Sequence, residues 1–210
     1  KKIETLNPET NEVWASVPEA NEQDVDFAVT SAQKAFDSSW SNLHPRERAK
    51  YLRLIANELR NNAEHLGKIE TIDTGKLFRE TKTQANYIAE YYDYFAGLAD
   101  KVEGTVIPID KEDMQVTTTR VPIGVVAAII PWNSQMLLTA VKLAPALAMG
   151  NTVVIKASEL APVTLLEFAK IIEKTEIPKG VVNIITGLGD PCGKALTQHN
   201  LVERIAFTGG

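Results

Sequence analysis

A lysine and a glutamate three residues apart follow the apolar run at residues 153–155. The ammonium group of Lys156 could donate hydrogen bonds to hydroxyl or phosphate oxygens. The carboxylate of Glu159 could accept them from paired ribose hydroxyls, as an acidic residue does in dinucleotide sites. The two side chains could also form an ordinary exposed pair, since Lys and Glu usually lie on the surface. Their position directly after a buried strand favours the binding interpretation.

Three glycines further along the chain have the spacing Gly187-x-Gly189-x-x-x-Gly193, which misses the dinucleotide fingerprint by one residue. Their backbone amides could lie at the start of a helix and donate hydrogen bonds to an anion, or the glycines could simply form a tight turn between a strand and a helix. The spacing alone does not separate these two interpretations.

Asn133 and Cys192 carry the side chains that could act in catalysis. The amide of Asn133 could donate to a developing oxyanion if it is held rigidly, although an Asn after Pro-Trp is also a common turn or cap residue. Cys192 near a helix N-terminus could be a nucleophile, but a single cysteine is more often a small buried residue. His44, His65 and His199 are not spaced as metal ligands, so no metal site is predicted.

The composition is typical of a globular protein with one or two cores: 210 residues, 44% hydrophobic, 23% charged. A net charge of −5 disfavours nucleic-acid binding, and the basic group Arg46, Arg48, Lys50 and Arg53 is interpreted as the solvated side of an amphipathic helix. A single cysteine suggests a reducing compartment, and the sequence contains no apolar run of about 20 residues that could cross a membrane. A cytoplasmic protein without a membrane segment is expected.

The first hundred residues are predicted to be mostly helical after an edge hairpin around residues 6–13. The 3.6-residue apolar spacing places helices at residues 21–36, 45–62, 63–74 and 79–98. After Gly104, β-branched residues at 105–108 and 114–121 predict exposed strands of an extended arm, which could pair with another subunit.

From Gly124 onward, short apolar strands alternate with helices. Strands without a polar face need cover on both sides, so the pattern predicts an α/β fold with a doubly wound, Rossmann-like parallel sheet and helices on both faces. Ligands in such sheets bind beyond the carboxyl ends of the strands. The predicted organisation is a helical N-terminal part of the cofactor-binding domain (1–103), an extended bridging arm (104–123) and a Rossmann-like core (124–210).

Several sequence blocks resemble the aldehyde dehydrogenase superfamily, in the same order. They are residues 7–10, 73–76, 120–125, 130–133, 143–151, 154–159, 178–183 and 205–209. The resemblance covers essentially all of the chain but less than half of a typical family member. It implies NAD(P)-dependent oxidation of an aldehyde to an acid by thiol attack, hydride transfer and thioester hydrolysis, in a homodimer or homotetramer bridged by the arm.

The resemblance also implies roles for individual residues. Asn133 would help to hold the oxyanion, and Lys156 and Glu159 would bind the adenosine ribose. NAD is expected to be preferred, with NADP possible, because the Glu159 carboxylate would repel a 2′-phosphate. The expected cofactor-binding residues are Ile129, Ile130, Pro131, Trp132, Lys156, Ser158, Glu159, Gly189, Gly193, Phe207, Thr208, Gly209 and Gly210.

The chain departs from the family pattern at two places. Gly210 stands where members usually have Ser, and Ser134-Gln135 stands where they usually have an aromatic residue followed by Pro, which changes the mouth of the substrate tunnel. The family's general-base glutamate and nucleophilic cysteine belong to blocks beyond Gly210, and Cys192 matches neither. The 210-residue chain is therefore expected to be inactive alone. Alternatives are a non-catalytic nucleotide-binding or assembly module, and a relative that reduces acyl phosphates or forms acyl-CoA.

Overall fold

The computed structural model describes residues 1–209, so Gly210, one of the expected cofactor-binding residues, lies outside the described residues. The helices are α1 (Glu22–Ala35), α2 (Pro45–Asn61), α3 (Ala63–Thr74), α4 (Phe78–Leu98), α5 (Gln135–Ala148), α6 (Val163–Lys174) and α7 (Lys194–Gln198). The strands are β1 (Lys2–Asn7), β2 (Glu12–Pro18), β3 (Val106–Ile107), β4 (Val116–Thr117), β5 (Val125–Ile129), β6 (Thr152–Ala157), β7 (Val182–Thr186) and β8 (Val202–Phe207).

Strands β5 to β8 form a parallel sheet in the order β7-β6-β5-β8, with helices on both of its faces. Residues of β5 alternate between the two faces, because successive side chains of a strand point to opposite sides. Val126 and Ala128 join the core formed with α5 and α6. Val125 and Ala127 join the core formed with α1 and α7. The predicted Rossmann-like α/β fold is confirmed.

The N-terminal helices pack against the sheet. Asn21 caps α1, since its side chain accepts hydrogen bonds from Gln23 N and Asp24 N. Helices α2, α3 and α4 contribute to the core that covers one face of the sheet. Trp40, which is fully buried, donates from Nε1 to the carbonyl oxygen of Asn151 at 2.9 Å and so ties the helical part to the start of β6.

Arg48 corrects one expectation from the sequence. The sequence predicts that it lies on the solvated side of an amphipathic helix with Arg46, Lys50 and Arg53, but Arg48 is buried, with 7% of its surface exposed. Its guanidinium group donates to the carbonyl oxygens of Leu43 and of Ala148, the last residue of α5. The C-terminal carbonyls of a helix lack partners within the helix, and a cation is favourable there. Because Arg48 supplies a hydrogen-bond donor to the carbonyl end of α5, its charged side chain can be buried.

The arm consists of the β3–β4 ribbon, in which Val106 pairs with Thr117 and Ile107 pairs with Val116. The ribbon is largely exposed; for example, 66% of Val106 is accessible. Within residues 1–209, no helix is both long and apolar enough to cross a membrane.

Candidate functional site

The chain order of the sheet changes direction at β5. The connections through α5 and α6 lead from β5 to β6 and then to β7, whereas β8 lies on the other side of β5. A crevice opens beyond the carboxyl ends of the strands of a doubly wound sheet where the strand order reverses. The structure has a crevice at this place, with a volume of about 930 Å³.

All of the expected cofactor-binding residues that the structure describes line this crevice, together with Asn133. They are Ile129, Ile130, Pro131, Trp132, Lys156, Ser158, Glu159, Gly189, Gly193, Phe207, Thr208 and Gly209. Sequence reasoning missed Leu160, Thr197 and Ile205, which also line it. Ile205 was detectable, because it lies two residues before Phe207 and so shares its side of β8.

Lys156 is the most constrained ionisable group of the crevice. Its side chain is 6% exposed, and Nζ lies 3.3 Å from Glu159 Oε2, whose side chain is 37% exposed. Nζ also donates to the carbonyl oxygen of Ala157 at 3.1 Å. An ammonium group has three donors, so this geometry leaves one N–H to point elsewhere. A buried lysine with a partly exposed carboxylate can therefore present both a donor and an acceptor to a ligand.

The three glycines have different environments. A Cβ atom on Gly187 would lie 2.6 Å from Cys192 Cβ, so this glycine is required by packing. A Cβ atom on Gly189 would meet nothing within 4 Å. Gly189 and Gly193 line the crevice, and the irregular turn between them leads into α7. This turn lets the backbone at Gly189 and Gly193 face the crevice, whereas Gly187 packs against Cys192 in the core.

Trp132 and Asn133 form the exposed part of the turn between β5 and α5. Trp132 is 51% exposed, so it does not fill the core, and Ser134, not Asn133, occupies the cap position of α5.

At the end of the neighbouring strand β8, Thr208 Oγ1 accepts a hydrogen bond from Lys142 Nζ at 2.6 Å. Burial lowers the pKa of Lys142. This lysine, which the sequence did not single out, fixes the side chain of a crevice residue.

Cys192 lies in the core formed with α1 and α7 and is fully buried. Burial raises the pKa of its thiol. Two histidines contact carboxylates near the surface: His65 Nε2 lies 3.0 Å from Glu167 Oε2, and His199 Nε2 lies 3.2 Å from Asp26 Oδ1. In the part of the chain that the structure describes, no group of three or more His, Cys, Asp or Glu residues is arranged to hold a metal ion.

A model of the aldehyde dehydrogenase family matches the sequence over residues 1–210. The chain belongs to the aldehyde dehydrogenase family. The resemblance inferred from the sequence blocks is thereby confirmed, and the crevice lies in a chain of that family.

Two curated relatives match almost the whole chain. A protein of Acinetobacter baylyi named (Z)-2-((N-methylformamido)methylene)-5-hydroxybutyrolactone dehydrogenase is 55% identical over 210 residues, which are 100% of this chain and 43% of that protein. Aldehyde dehydrogenase 1 of Tanacetum cinerariifolium is 42% identical over 209 residues, which are 99% of this chain and 42% of that protein. The chain thus spans less than half the length of the curated relatives that it matches.

A solved aldehyde dehydrogenase has the same fold over this part. Betaine aldehyde dehydrogenase of Staphylococcus aureus, determined in complex with NAD+, superposes with a TM-score of 0.97 at 36% identity. The match covers 100% of this chain and 42% of that chain.

Proposed function

We propose that this chain binds NAD in the crevice and forms the cofactor-binding part of an enzyme that oxidises an aldehyde to a carboxylic acid. The observation that carries the proposal is the pair of Lys156 and Glu159 inside a crevice at the point where the strand order reverses. Membership of the aldehyde dehydrogenase family and the likeness to a relative solved with NAD+ support it.

The residues present fit a dinucleotide. The crevice volume of about 930 Å³ lies within the range of about 300–1,000 Å³ that ligand pockets have. Lys156 and Glu159 would hold the adenosine ribose through its hydroxyl groups. The open space around Gly189 allows close approach to the backbone of the glycine loop. Phe207, Thr208 and the turn after β5 would flank the rest of the cofactor.

Asn133 is the catalytic group that we assign. NAD, when bound, supplies the hydride acceptor of the reaction. The side-chain amide of Asn133 would donate a hydrogen bond to the aldehyde oxygen as a thiol adds to the carbonyl carbon and negative charge develops on that oxygen. Removal of one such donor typically lowers kcat by about 100- to 1,000-fold. In an active enzyme, we expect Asn133→Ala to show a loss of that size with little change in the Kd for NAD.

Cys192 is a poor candidate for the nucleophile of this reaction. Its thiol is fully buried, its pKa is raised by burial, and it does not line the crevice. The thiolate is the reactive form of a cysteine, and both burial and a raised pKa reduce it. We propose that a different cysteine and a separate general base complete the reaction.

The substrate class is proposed as an aldehyde or a compound at the same oxidation level. A 5-hydroxybutyrolactone, in the name of the relative from Acinetobacter baylyi, has a ring carbon that bears both a hydroxyl group and the ring oxygen. Such a carbon is at the oxidation level of an aldehyde. A lactone of this kind and a simple aliphatic aldehyde are therefore the two substrates to compare first.

Calorimetric titration of the purified chain with NAD tests the cofactor site, and the absorbance of NADH after addition of an aldehyde tests the chemistry. We expect NAD to bind with a defined stoichiometry of one per chain. No saturable binding of NAD or NADP would refute the cofactor site. The matched variant Lys156→Met, which keeps the length of the side chain but removes its charge, should weaken binding.

A second candidate function is a nucleotide-binding or assembly module without catalytic activity, which the burial of Cys192 favours for the chain alone. Under this alternative the chain binds NAD but produces no NADH with any aldehyde. Robust turnover by the purified chain would eliminate it and would return Cys192 to consideration as the nucleophile.

The arm at residues 104–123 is proposed to bridge subunits of a homodimer or homotetramer, between a helical part (1–103) and the sheet-containing part from Gly124 onward. Its ribbon exposes apolar side chains, including Val106 at 66%, Ile107 at 42% and Met114 at 52%. Light scattering of the parent and of a Val106→Asp variant would test this role, with a lower mass expected for the variant.

The buried free thiol of Cys192 supports a reducing, cytoplasmic location.

A further inference from the structure

Ser134 and Gln135, which stand where the family resemblance leads us to expect an aromatic residue followed by Pro, both bond to the turn at the end of α3 (residues 73–76). Lys76 Nζ donates to Ser134 Oγ at 2.9 Å, and Gln135 Nε2 lies 3.3 Å from Asp73 Oδ2. Asp73 lies in the last turn of α3 and Lys76 two residues after its end, and they are 62 and 58 residues away from their partners Gln135 and Ser134. Two side-chain hydrogen bonds therefore connect the start of α5 to a distant segment.

Gln135 is buried to a degree unusual for a polar residue. It is the first residue of α5 and has no exposed surface. Its amide nitrogen lies 3.2 Å from the carbonyl oxygen of Ala161 and 3.3 Å from Thr164 Oγ1, in addition to Asp73. Removal of this amide would take its donor away from the Ala161 carbonyl, and a buried acceptor left without a partner typically costs about 1–3 kcal/mol. The amide of Gln135 is thus built into the contact between three elements.

Asp73 completes this contact from the other side. Its Oδ2 atom accepts hydrogen bonds from both the backbone N–H and the hydroxyl of Thr164, each at 3.0 Å. Thr164 belongs to the first turn of α6, so Asp73 and Gln135 together join the end of α3 to the starts of α5 and α6. Lys76 is held in addition by Glu70, whose Oε1 lies 3.3 Å from Nζ.

The segment between β5 and Ser134 carries Trp132 and Asn133, both of which are exposed. Exposed side chains are not fixed by packing, so the position of this short segment depends on its two ends. At one end, Ile130 N donates to the carbonyl oxygen of Lys156 at 3.1 Å and continues the sheet. At the other end, α5 packs into the core from Met136 onward, and the hydrogen bonds of Ser134 and Gln135 attach its first residues.

We propose that Ser134 and Gln135 are positioning residues for Asn133 and Trp132. They clamp the start of α5 to the Asp73–Lys76 turn by hydrogen bonds, in the place where the family resemblance leads us to expect an aromatic residue and a proline. A group that stabilises an oxyanion must be held rigidly to be effective. The importance of the clamp for catalysis rests on the proposed function, but the clamp itself is a property of the chain and can be measured without activity.

Nuclear spin relaxation of the whole chain tests the clamp. We expect order parameters of about 0.8 for the backbone N–H groups of Asn133 and Trp132 in the parent, and values below about 0.6 in the variant Ser134→Ala/Gln135→Met. Methionine keeps the shape of glutamine and removes its donors. Order parameters at the carboxyl ends of β6 and β8 should stay unchanged, which a general loss of structure would not allow.

A matched control is Gln33→Met, because Gln33 also donates to an aspartate, Asp37, at 2.9 Å but lies on α1. This variant should leave Asn133 and Trp132 as rigid as in the parent. Should the double variant fail to fold, Ser134→Ala alone removes only the hydrogen bond from Lys76 and should give a smaller fall at the same two groups. Unchanged order parameters in the folded variants, or a mobile Asn133 in the parent, would overturn the proposal. A rigid Asn133 in a chain that binds no NAD would refute the proposed function and leave the clamp intact.

Discussion

The charge of Glu159 is expected to set the preference for NAD over NADP. A 2′-phosphate on the adenosine ribose would lie close to this carboxylate. Two unit charges of the same sign about 4 Å apart repel by about 1 kcal/mol in water and by about 4 kcal/mol near a protein surface. The side chain of Glu159 is 37% exposed, and the Lys156 ammonium 3.3 Å away would attract the phosphate. We therefore take about 2 kcal/mol as the net repulsion, within the range set by Coulomb's law.

Glu159→Gln removes the charge and keeps the size of the side chain. A loss of about 2 kcal/mol of repulsion should lower the ratio of the Kd for NADP to the Kd for NAD by about 30-fold. Binding of NAD itself should weaken by about fivefold, because hydrogen bonds to a charged acceptor are about 1 kcal/mol stronger than those to a neutral one. The variant should thus lose affinity for NAD while its discrimination against NADP falls.

Calorimetric titrations of the parent and variant chains with both cofactors measure the four dissociation constants. Glu173→Gln is a matched control, because Glu173 is an exposed carboxylate on α6 that does not line the crevice. It should leave all constants unchanged. If Glu159→Gln left the ratio within twofold of the parent value, the carboxylate would not be the source of the preference, and the assignment of the ribose to this residue would be wrong.

Three further predictions concern buried groups. Burial raises the pKa of Asp73 to about 6, above the value of about 3.9 in the unfolded chain. The native state therefore binds this proton more tightly. As a result, the free energy of unfolding falls as the pH rises from about 4 to 6. Urea unfolding should show Asp73→Asn gaining up to about 3 kcal/mol relative to the parent between pH 4 and pH 7, and a constant difference would contradict the raised pKa. Trp40→Phe removes the hydrogen bond to Asn151 and leaves a cavity, so it should lower the free energy of unfolding by about 3 kcal/mol and Tm by roughly 6–12 °C in thermal unfolding. A shift under 2 °C (about 0.5 kcal/mol) would show that the contact is unimportant. Cys192 should react with a thiol reagent only after denaturant is added, and rapid labelling of the native chain would show that the core around it opens.

The sheet and its crevice were predictable because short apolar strands and the polar residues that follow them are local features of the sequence. Lys156 and Glu159 follow the apolar run at residues 153–155, and the same rule brought Thr208 and Gly209 after β8 to the crevice. Strand lengths were less accurate: β6 extends to Ala157 because its backbone pairing continues as far as Thr186 of β7. Such pairing depends on the neighbouring strand and not on local composition.

Contacts between distant segments could not be predicted from periodicity. The sequence predicts a solvated Arg48 because its charge fits the polar side of a helix, and only the position of the end of α5 explains its burial. Lys142 and Thr208 are 66 residues apart, and Gln135 and Asp73 are 62 residues apart. A single sequence contains no local sign of such pairs. The roles of Asn133 and of the crevice residues in binding and catalysis stay predictions until they are measured.

The attachment of the first elements to the last strands has a consequence for folding. Thr186 Oγ1 donates to the carbonyl oxygen of Pro18 across 168 residues of chain, and α1 covers the face of the sheet formed by Val125, Ala127 and Val154. Contacts of such long sequence separation form slowly, because a large loop must close before they are made. Helix α1 is synthesised before the strands that cover its apolar side, so that side stays exposed until the sheet forms.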